Sequence, residues 1–506
     1  MTVGDRGPYT LRLVAFSFSD LFAGVGGFHA ALGAMGGECW FASEIDGNAA
    51  RVYDYNWMRP LRTTEATERE QERRTVRGDI VPLTANAMEV PPTDVLAAGF
   101  PCQPFSKSGA QQGFSDPTRG TLFWNIKRVI EERQPAVLLL ENVRNLAGHD
   151  GGNTWRTIVA TLRSLGYRTS DVPAVFSPHL LPPELGGRPQ VRERVFVLAH
   201  RVDRNSPDGR HDGPIVVPRA EYGWDPQAWR LQKHLLLPDN EVDLDRYRLL
   251  PSELEIINAW DGLLGEVAER LEGDERLPGF PIWLDEFRTV AEAEDLVEAA
   301  ELEDRPYPKW KASFLIKNAR FYEQHQPVLD KWMPVIQAFP PSRRKFEWQA
   351  QSHRSLDETV MHFRPSGIRA KQQTYVPALV AITQTSIIGK QRRITPEEAA
   401  ILQGLPRWFS FKHEVDDGNG NLTVVNQNDA ATYKQMGNGV NVGAAYFVLR
   451  SYVREYADEI AQFAPNLVES VETSSDNPDD HLAQPLHQAS PLPMAPQGSR
   501  RGTVLA

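Results

Sequence analysis

Along the first 200 positions, apolar residues fall in short continuous runs, separated by longer stretches with helical spacing. Leu11 to Ser19, Cys39 to Ile45, Val95 to Gly99, Ala136 to Leu140 and Arg194 to Ala199 read as strands. They lack an alternating polar face, which marks strands buried on both sides. Between them, Phe28 to Met35, Leu122 to Glu132 and Thr154 to Leu165 carry the pattern of helices packed by one face. Such alternation predicts an α/β domain on a doubly wound, mostly parallel sheet.

After His200 the alternation stops and Pro, Asp and Gly turns take over. One helix stands out behind Pro251, with Ser252 and Glu255 as its capping box. Its stripe of Ile257, Trp260, Leu264, Val267 and Leu271 predicts core packing. Leu284 to Leu302 reads as a helix with a solvated outer face. Regular alternation returns at Thr395, which caps a helix running to about Gln403. From Asn466 the chain is rich in Pro, Ser, Gln and Asp with few aromatics, a composition that predicts disorder. The expected organisation is a domain over 11–201 that resumes over 392–465, an insert over 202–391, and a disordered tail over 466–506.

A chain of 506 residues has room for two or three domains. No apolar run is long enough to span a bilayer and the first ten residues lack a signal-peptide core, so a cytoplasmic protein is expected. Two cysteines, Cys39 and Cys102, exclude a disulfide framework and argue against a Cys-built metal site, so no metal is expected. The net charge of −11 speaks against a nucleic-acid partner until it is divided along the chain. Positions 241–304 carry 20 acidic and 5 basic residues, a balance of −15, whereas 309–393 carry 15 basic and 5 acidic, a balance of +10. Phosphates respond to the local field, so the basic stretch changes the picture.

The candidate chemistry lies at the ends of the expected strands. Asp20-Leu-Phe-Ala-Gly24-Val-Gly26-Gly27 occupies a strand-to-helix turn, with Glu44 twenty residues beyond Gly24. Glycines permit the tight turn and close approach to a ligand, while an acid after the next strand can hold ribose hydroxyls. By itself this pattern indicates a nucleoside cofactor, and NAD fits nearly as well as S-adenosylmethionine. Asp79, in Gly78-Asp79-Ile80, falls where a third strand ends and can accept a bond from an adenine amino group. Gly99-Phe-Pro101-Cys102-Gln-Pro104 follows its strand directly and brings a thiol to the same edge, where activation to thiolate makes a nucleophile. Cys39, inside an apolar strand, reads as an inert buried thiol. Glu141-Asn142-Val143 also follows a strand. Gln190-Val-Arg192-Glu-Arg194 leads into one, and Gln435-Met-Gly437-Asn438-Gly439-Val440 precedes an apolar helix from Asn441 to Leu449.

In this order the five segments resemble the bacterial DNA cytosine-5 methyltransferase family of the restriction–modification type, over Phe18 to Leu198 and Arg392 to Leu449. The resemblance implies a Rossmann-like, class I S-adenosylmethionine-dependent methyltransferase fold with an inserted target-recognition domain. It implies that Phe22, Ala23, Gly24, Gly26 and Gly27 hold S-adenosylmethionine, Glu44 its ribose, and Asp79 and Ile80 its adenine. Pro101, Leu122, Asn438 and Val440 would complete that pocket, and Ile45 stands where the family often has a tryptophan against the adenine.

In the implied chemistry the Cys102 thiolate attacks carbon 6 of a flipped-out cytosine, and Glu141, Arg192 and Arg194 stabilise the charge that develops. The loop over 105–116 would close on the base, with Lys107 and Ser108 against DNA. In the insert, Arg343, Arg344, Lys345, Arg364, Arg369 and Lys371 are the candidate contacts to double-stranded DNA. The chain begins close to its first strand, which suggests a stand-alone enzyme protecting DNA beside a cognate restriction endonuclease. A transfer-RNA cytosine methyltransferase of the same fold is the nearest alternative, although the long insert argues against it. A catalytically inactive DNA-binding relic is another, against which stand the intact Cys102, Glu141, Arg192 and Arg194. An NAD dehydrogenase leaves the Pro-Cys-Gln loop without a role.

Overall fold

The computed structural model describes residues 16–62, 67–101, 121–202, 210–211, 223–273, 275–350, 353–380, 385–416 and 421–486. The chain divides into two compact units, one of residues 1–225 and 400–506, the other of residues 226–399.

The first unit is built on strands β1 (Ser17–Leu21), β2 (Glu38–Ser43), β3 (Val76–Arg77), β4 (Val95–Gly99), β5 (Val137–Val143), β6 (Tyr167–Ser170), β7 (Ala174–Phe176), β8 (Gln190–Val191), β9 (Arg194–Arg201) and β10 (Arg210–His211). In its main sheet the order is β10-β6-β9-β5-β4-β1-β2-β3, with β7 also paired to β9. From β3 across to β5 every pairing is parallel, and β9 runs antiparallel to β5, β6 and β7. The mostly parallel α/β fold read from the sequence is the fold observed. Parallel strands need covered faces. Val95 to Ala98 and Val137 to Leu140 are accordingly buried throughout, and Leu96, Ala98, Leu138 and Leu140 pack with Ile126, Ile130, Ile158 and Leu162 of the flanking helices Thr121–Arg133 and Asn153–Ser164. The two serines of the central strand find partners: Ser17 Oγ donates to Asp94 Oδ2 at 2.9 Å and Ser19 Oγ lies 3.1 Å from Thr93 Oγ1.

One part of the expected disordered tail is ordered. Helices Pro465–Thr473 and Pro478–Leu482 bury Leu467, Val471 and Leu482. Arg188 donates to both carboxylate oxygens of Asp479 at 2.7 and 2.9 Å, and Trp408 Nε1 donates to Leu482 O at 2.8 Å. A few apolar residues at helical spacing and partners far back in the chain outweigh the polar composition. Residues 487–506 lie outside the described set.

In the second unit a six-stranded sheet is covered on one face by helices Pro251–Ala268 and Lys309–Gln337. Ile257, Trp260, Leu264 and Val267 are buried in that core with Phe346, Trp348, Ile368 and Ala370, and Leu271 packs against it. The helix cap differs from the sequence expectation. Pro251 takes the first helical position, and Glu253, not Glu255, receives the Leu250 N–H at 3.1 Å. Proline's fixed φ and missing N–H suit the first helical position, so the helix begins before Ser252. The stretch expected as one helix from Leu284 divides into a 3-10 turn over Leu284–Glu286 and an α-helix over Val290–Leu302, where Ala293 is the buried residue.

Candidate active site

Strand order reverses between β1 and β4: β2 and β3 lie on one side of β1, β4 and β5 on the other. In open α/β sheets that reversal leaves a crevice at the carboxyl ends of the strands. Because β1 to β5 are parallel, their carboxyl ends emerge at one edge, which brings together Phe22 to Gly27, Glu44, Asp79 and Phe100 from beyond the strands and Glu141 from near the end of β5. Antiparallel β9 starts where β5 ends, with Arg194 opposite Val143, and so adds Arg194 to the same rim.

The glycine turn has a strained, open backbone. Phe22 (φ 56°), Gly24 (φ 56°) and Gly26 (φ 97°) adopt left-handed conformations, which glycine tolerates and Phe22 does at some cost. A methyl group added at Gly27 would lie 2.3 Å from Val440 O, so the distant Gly-Asn-Gly-Val segment closes directly onto the turn; at Gly24 it would meet nothing within 4 Å. Glu44 ties the turn to the next strand, its Oε2 accepting the Gly24 N–H at 2.8 Å and its Oε1 the Asp46 N–H at 2.7 Å. Burial pushes the Glu44 carboxyl above the usual glutamate range, and the Asp46 and Gly24 N–H groups pull it back. Phe22, Ile80 and Leu122 share one apolar cluster, while Ile45 is 72% exposed and Asp79 caps the helix Ile80–Ala85 by accepting the Val81 N–H at 3.0 Å. An open glycine cradle, a carboxylate with unused lone pairs and an apolar wall fit a nucleoside cofactor.

The acid and the arginines are more closely coupled than spacing suggested. Glu141 Oε1 lies 3.0 Å from Arg194 Nε in a largely buried pair. Burial pushes the Glu141 carboxyl up, against the pull of Arg194 and then Arg192. A Cβ built at Gly99 would lie 3.8 Å from Glu141 Oε2 and 3.4 Å from Val440 Cγ2, so the carboxylate stands against the end of β4. Arg192, 1% exposed, turns elsewhere: its Nη2 donates to Gly437 O at 3.0 Å and Gly439 O at 2.7 Å. It clamps the far segment to the sheet, with Asn438 exposed between those carbonyls. Asn142, given no role by the sequence reading, donates from Nδ2 to Phe100 O at 3.0 Å and fixes the chain two residues before Cys102. Pro101 is exposed, and Cys102, Lys107 and Ser108 lie outside the described residues.

A family model described as C-5 cytosine-specific DNA methylase matches residues 16–454. The chain belongs to this family. This DNA cytosine-5 methyltransferase is 43% identical to the Type II methyltransferase M.AluI of Cellulosimicrobium cellulans, over 87% of its own length and 92% of the relative's. It is 37% identical to the Type II methyltransferase M.HhaI of Haemophilus parahaemolyticus, over 48% of its length and 65% of the relative's.

In the methyltransferase's second unit, the sheet face opposite the helices collects Lys345, Arg364, Arg369 and Lys371, since cross-strand register pairs His362 with Arg369 and aligns Glu347 with Arg369 and Gln349 with Lys371. Glu347 Oε2 lies between Arg364 Nη2 at 2.8 Å and Arg369 Nε at 2.9 Å. His362 adds no charge there, because burial and then Lys371 lower it to about 3. Arg343 and Arg344 part from this group. Arg343 stacks over Phe363 at 4.6 Å and donates to Arg364 O at 3.1 Å; Arg344 donates to Phe339 O at 2.7 Å and faces Asp285 at 3.5 Å. No helix among the described residues is long and apolar enough to cross a membrane, and no group of His, Cys, Asp or Glu among them could hold a metal ion.

Proposed function

We propose that this methyltransferase modifies carbon 5 of a cytosine flipped out of duplex DNA, through a covalent adduct of Cys102. What supports the reading is the buried Glu141–Arg194 pair beside Gly99, three residues before the thiol. Phe22 to Gly27, Glu44, Asp79, Ile80, Leu122 and Val440 would hold S-adenosylmethionine, which when bound would supply an electrophilic methyl group.

Carbon 5 of cytosine is a weak nucleophile. Addition of the Cys102 thiolate to carbon 6 raises its electron density, and Glu141 offsets the developing charge by holding a proton at ring nitrogen 3. Arg194 orients Glu141 and stabilises charge at the base. Asn142 and Arg192 act as positioning residues, for the Phe100 carbonyl and the Gly437 to Gly439 backbone. Loss of the carbon 5 proton and expulsion of the thiolate restore the enzyme. The base leaves the stack because its ring atoms are out of reach inside a duplex.

On the second unit, Lys345, Arg364, Arg369 and Lys371 form the DNA-facing group, with phosphate neutralisation and guanine reading as their roles. Arg343 and Arg344 brace the sheet instead. The two relatives above carry Type II methyltransferase names, and we assign this chain the same protective role beside a restriction endonuclease, in the cytoplasm.

The direct test is transfer of labelled methyl groups to duplex DNA and to transfer RNA, followed by sequencing of converted DNA. Label at cytosines of one short DNA motif is the expected outcome. Label confined to RNA, or none at all, removes the assignment.

A pH profile checks Glu141. Its raised carboxyl keeps the proton to higher pH than an exposed glutamate, so single-turnover methyl transfer falls as pH rises through that ionisation. Glu141→Gln lowers the maximal rate about 10²-fold and abolishes this high-pH fall. If the variant shows the same fall, the proton comes from another group.

A further inference from the structure

We propose that Trp57 is a positioning residue for the cofactor, bracing the glycine turn from below; this rests on the reading that the turn holds S-adenosylmethionine. The residue lies outside every motif described above. The helix Gly47–Tyr53 runs into a π-helical turn, Asp54–Met58, in which the Arg59 N–H reaches back to Asp54 O. Such a turn inserts an extra residue and re-aims the side chains that follow, and it occurs often at functional sites. Here it directs the Trp57 indole at the turn. Nε1 donates to Val25 O at 2.8 Å, and a methyl group added at Gly26 would lie 2.2 Å from Nε1.

The brace is held in its own right. His29 stacks on Trp57, with centroids 4.7 Å apart, and His29 Nδ1 lies 2.7 Å from Tyr53 Oη. Burial lowers His29 to about 3, so this contact stays neutral at working pH. Tyr53 Oη in turn reaches Asp20 Oδ2 at 3.5 Å, beneath the start of the turn. A turn with Gly24 and Gly26 at positive φ has many alternative conformations. The buried Val25 carbonyl selects one of them only while it has a donor, because an unpaired buried acceptor is costly. Without the indole N–H the peptide is free to rotate, and the binding-competent form becomes a fraction of the population. Apparent affinity falls by that fraction.

Trp408 provides an internal control. Its ring lies 5.2 Å from Trp57 in the same aromatic cluster, but its N–H serves Leu482 O, away from the turn. The test is calorimetric titration of S-adenosylmethionine into the full chain without DNA, together with thermal unfolding and steady-state kinetics, for Trp57→Phe, His29→Leu and Trp408→Phe. Trp57→Phe should raise the cofactor Kd and KM about tenfold, with kcat and the KM for DNA unchanged. His29→Leu should shift Kd in the same direction by less, and Trp408→Phe should lower Tm while leaving Kd alone. Wild-type Kd in a folded Trp57→Phe overturns the proposal. If that variant does not fold, wild-type Kd in His29→Leu overturns it instead. A wild-type protein that fails to bind the cofactor overturns both this proposal and the cofactor reading beneath it.

Discussion

Cys102→Ser is expected to leave a folded protein that binds S-adenosylmethionine normally and transfers methyl groups at least about 10³-fold more slowly. The hydroxyl is similar in size to the thiol but ionises far less readily, so the addition to carbon 6 loses its nucleophile. The frame that presents residue 102 does not depend on the thiol. β4 ends at Gly99, Asn142 Nδ2 holds Phe100 O at 3.0 Å, and Glu141 is set by Arg194. Cofactor titration and thermal unfolding of the variant should therefore match wild type. A duplex with 5-fluorocytosine at the target adds a second readout, because fluorine on carbon 5 cannot leave as a proton. Wild type should remain covalently attached under denaturing conditions, and Cys102→Ser should not. Undiminished transfer by the serine variant would take Cys102 out of the reaction.

The largest effect on stability is expected at Glu398. This carboxylate is fully buried and takes four bonds: Arg392 Nη1 and Nη2 at 2.8 Å each, the Leu237 N–H at 2.9 Å and the Thr395 N–H at 2.8 Å. Alanine would take both carboxylate oxygens away from the buried Arg392 guanidinium and from the Leu237 and Thr395 N–H groups. Breaking a buried pair from one side costs about 3–5 kcal/mol, which for a unit of this size lowers its melting transition by about 10 °C. Calorimetry of the full chain can resolve that transition if the two units melt separately. Glu398→Gln, which keeps an acceptor, should lose less. A wild-type melting profile for Glu398→Ala would show that the surrounding residues repack around the charge.

How much of this was legible in sequence depends on how far each feature reaches. β4 lies where its apolar run predicted, and the observed β5, β9 and flanking helices overlap their expected spans, because a buried parallel strand and an amphipathic helix are patterns of a few consecutive residues. Thr395 caps its helix as expected, with the Glu398 N–H on its Oγ1 at 3.2 Å. The cap before Pro251 was misplaced by two residues, within the range over which a proline competes with a serine. Arg343 to Lys345 looked like one basic group. Strand alternation and the packing of Phe363 and Asp285 split it, which no count of charges could reveal.

The sequence by itself determined the alternation that makes the sheet, and therefore which motifs stand at its carboxyl edge. Parallel strands deliver their carboxyl ends to one side, so the Gly24 turn, Glu44, Phe100 and Glu141 were placed together by order alone. Tertiary structure decided what those residues do to one another. Arg192 and Arg194, two positions apart, diverge to Gly437 and Glu141, while Trp57 reaches Val25 across 32 residues through a π-helical turn. Pro465 to Leu482 fold against side chains as distant as Arg188. These pairings are set by desolvation and hydrogen-bond satisfaction among residues far apart in the chain. Local propensity carries no record of them.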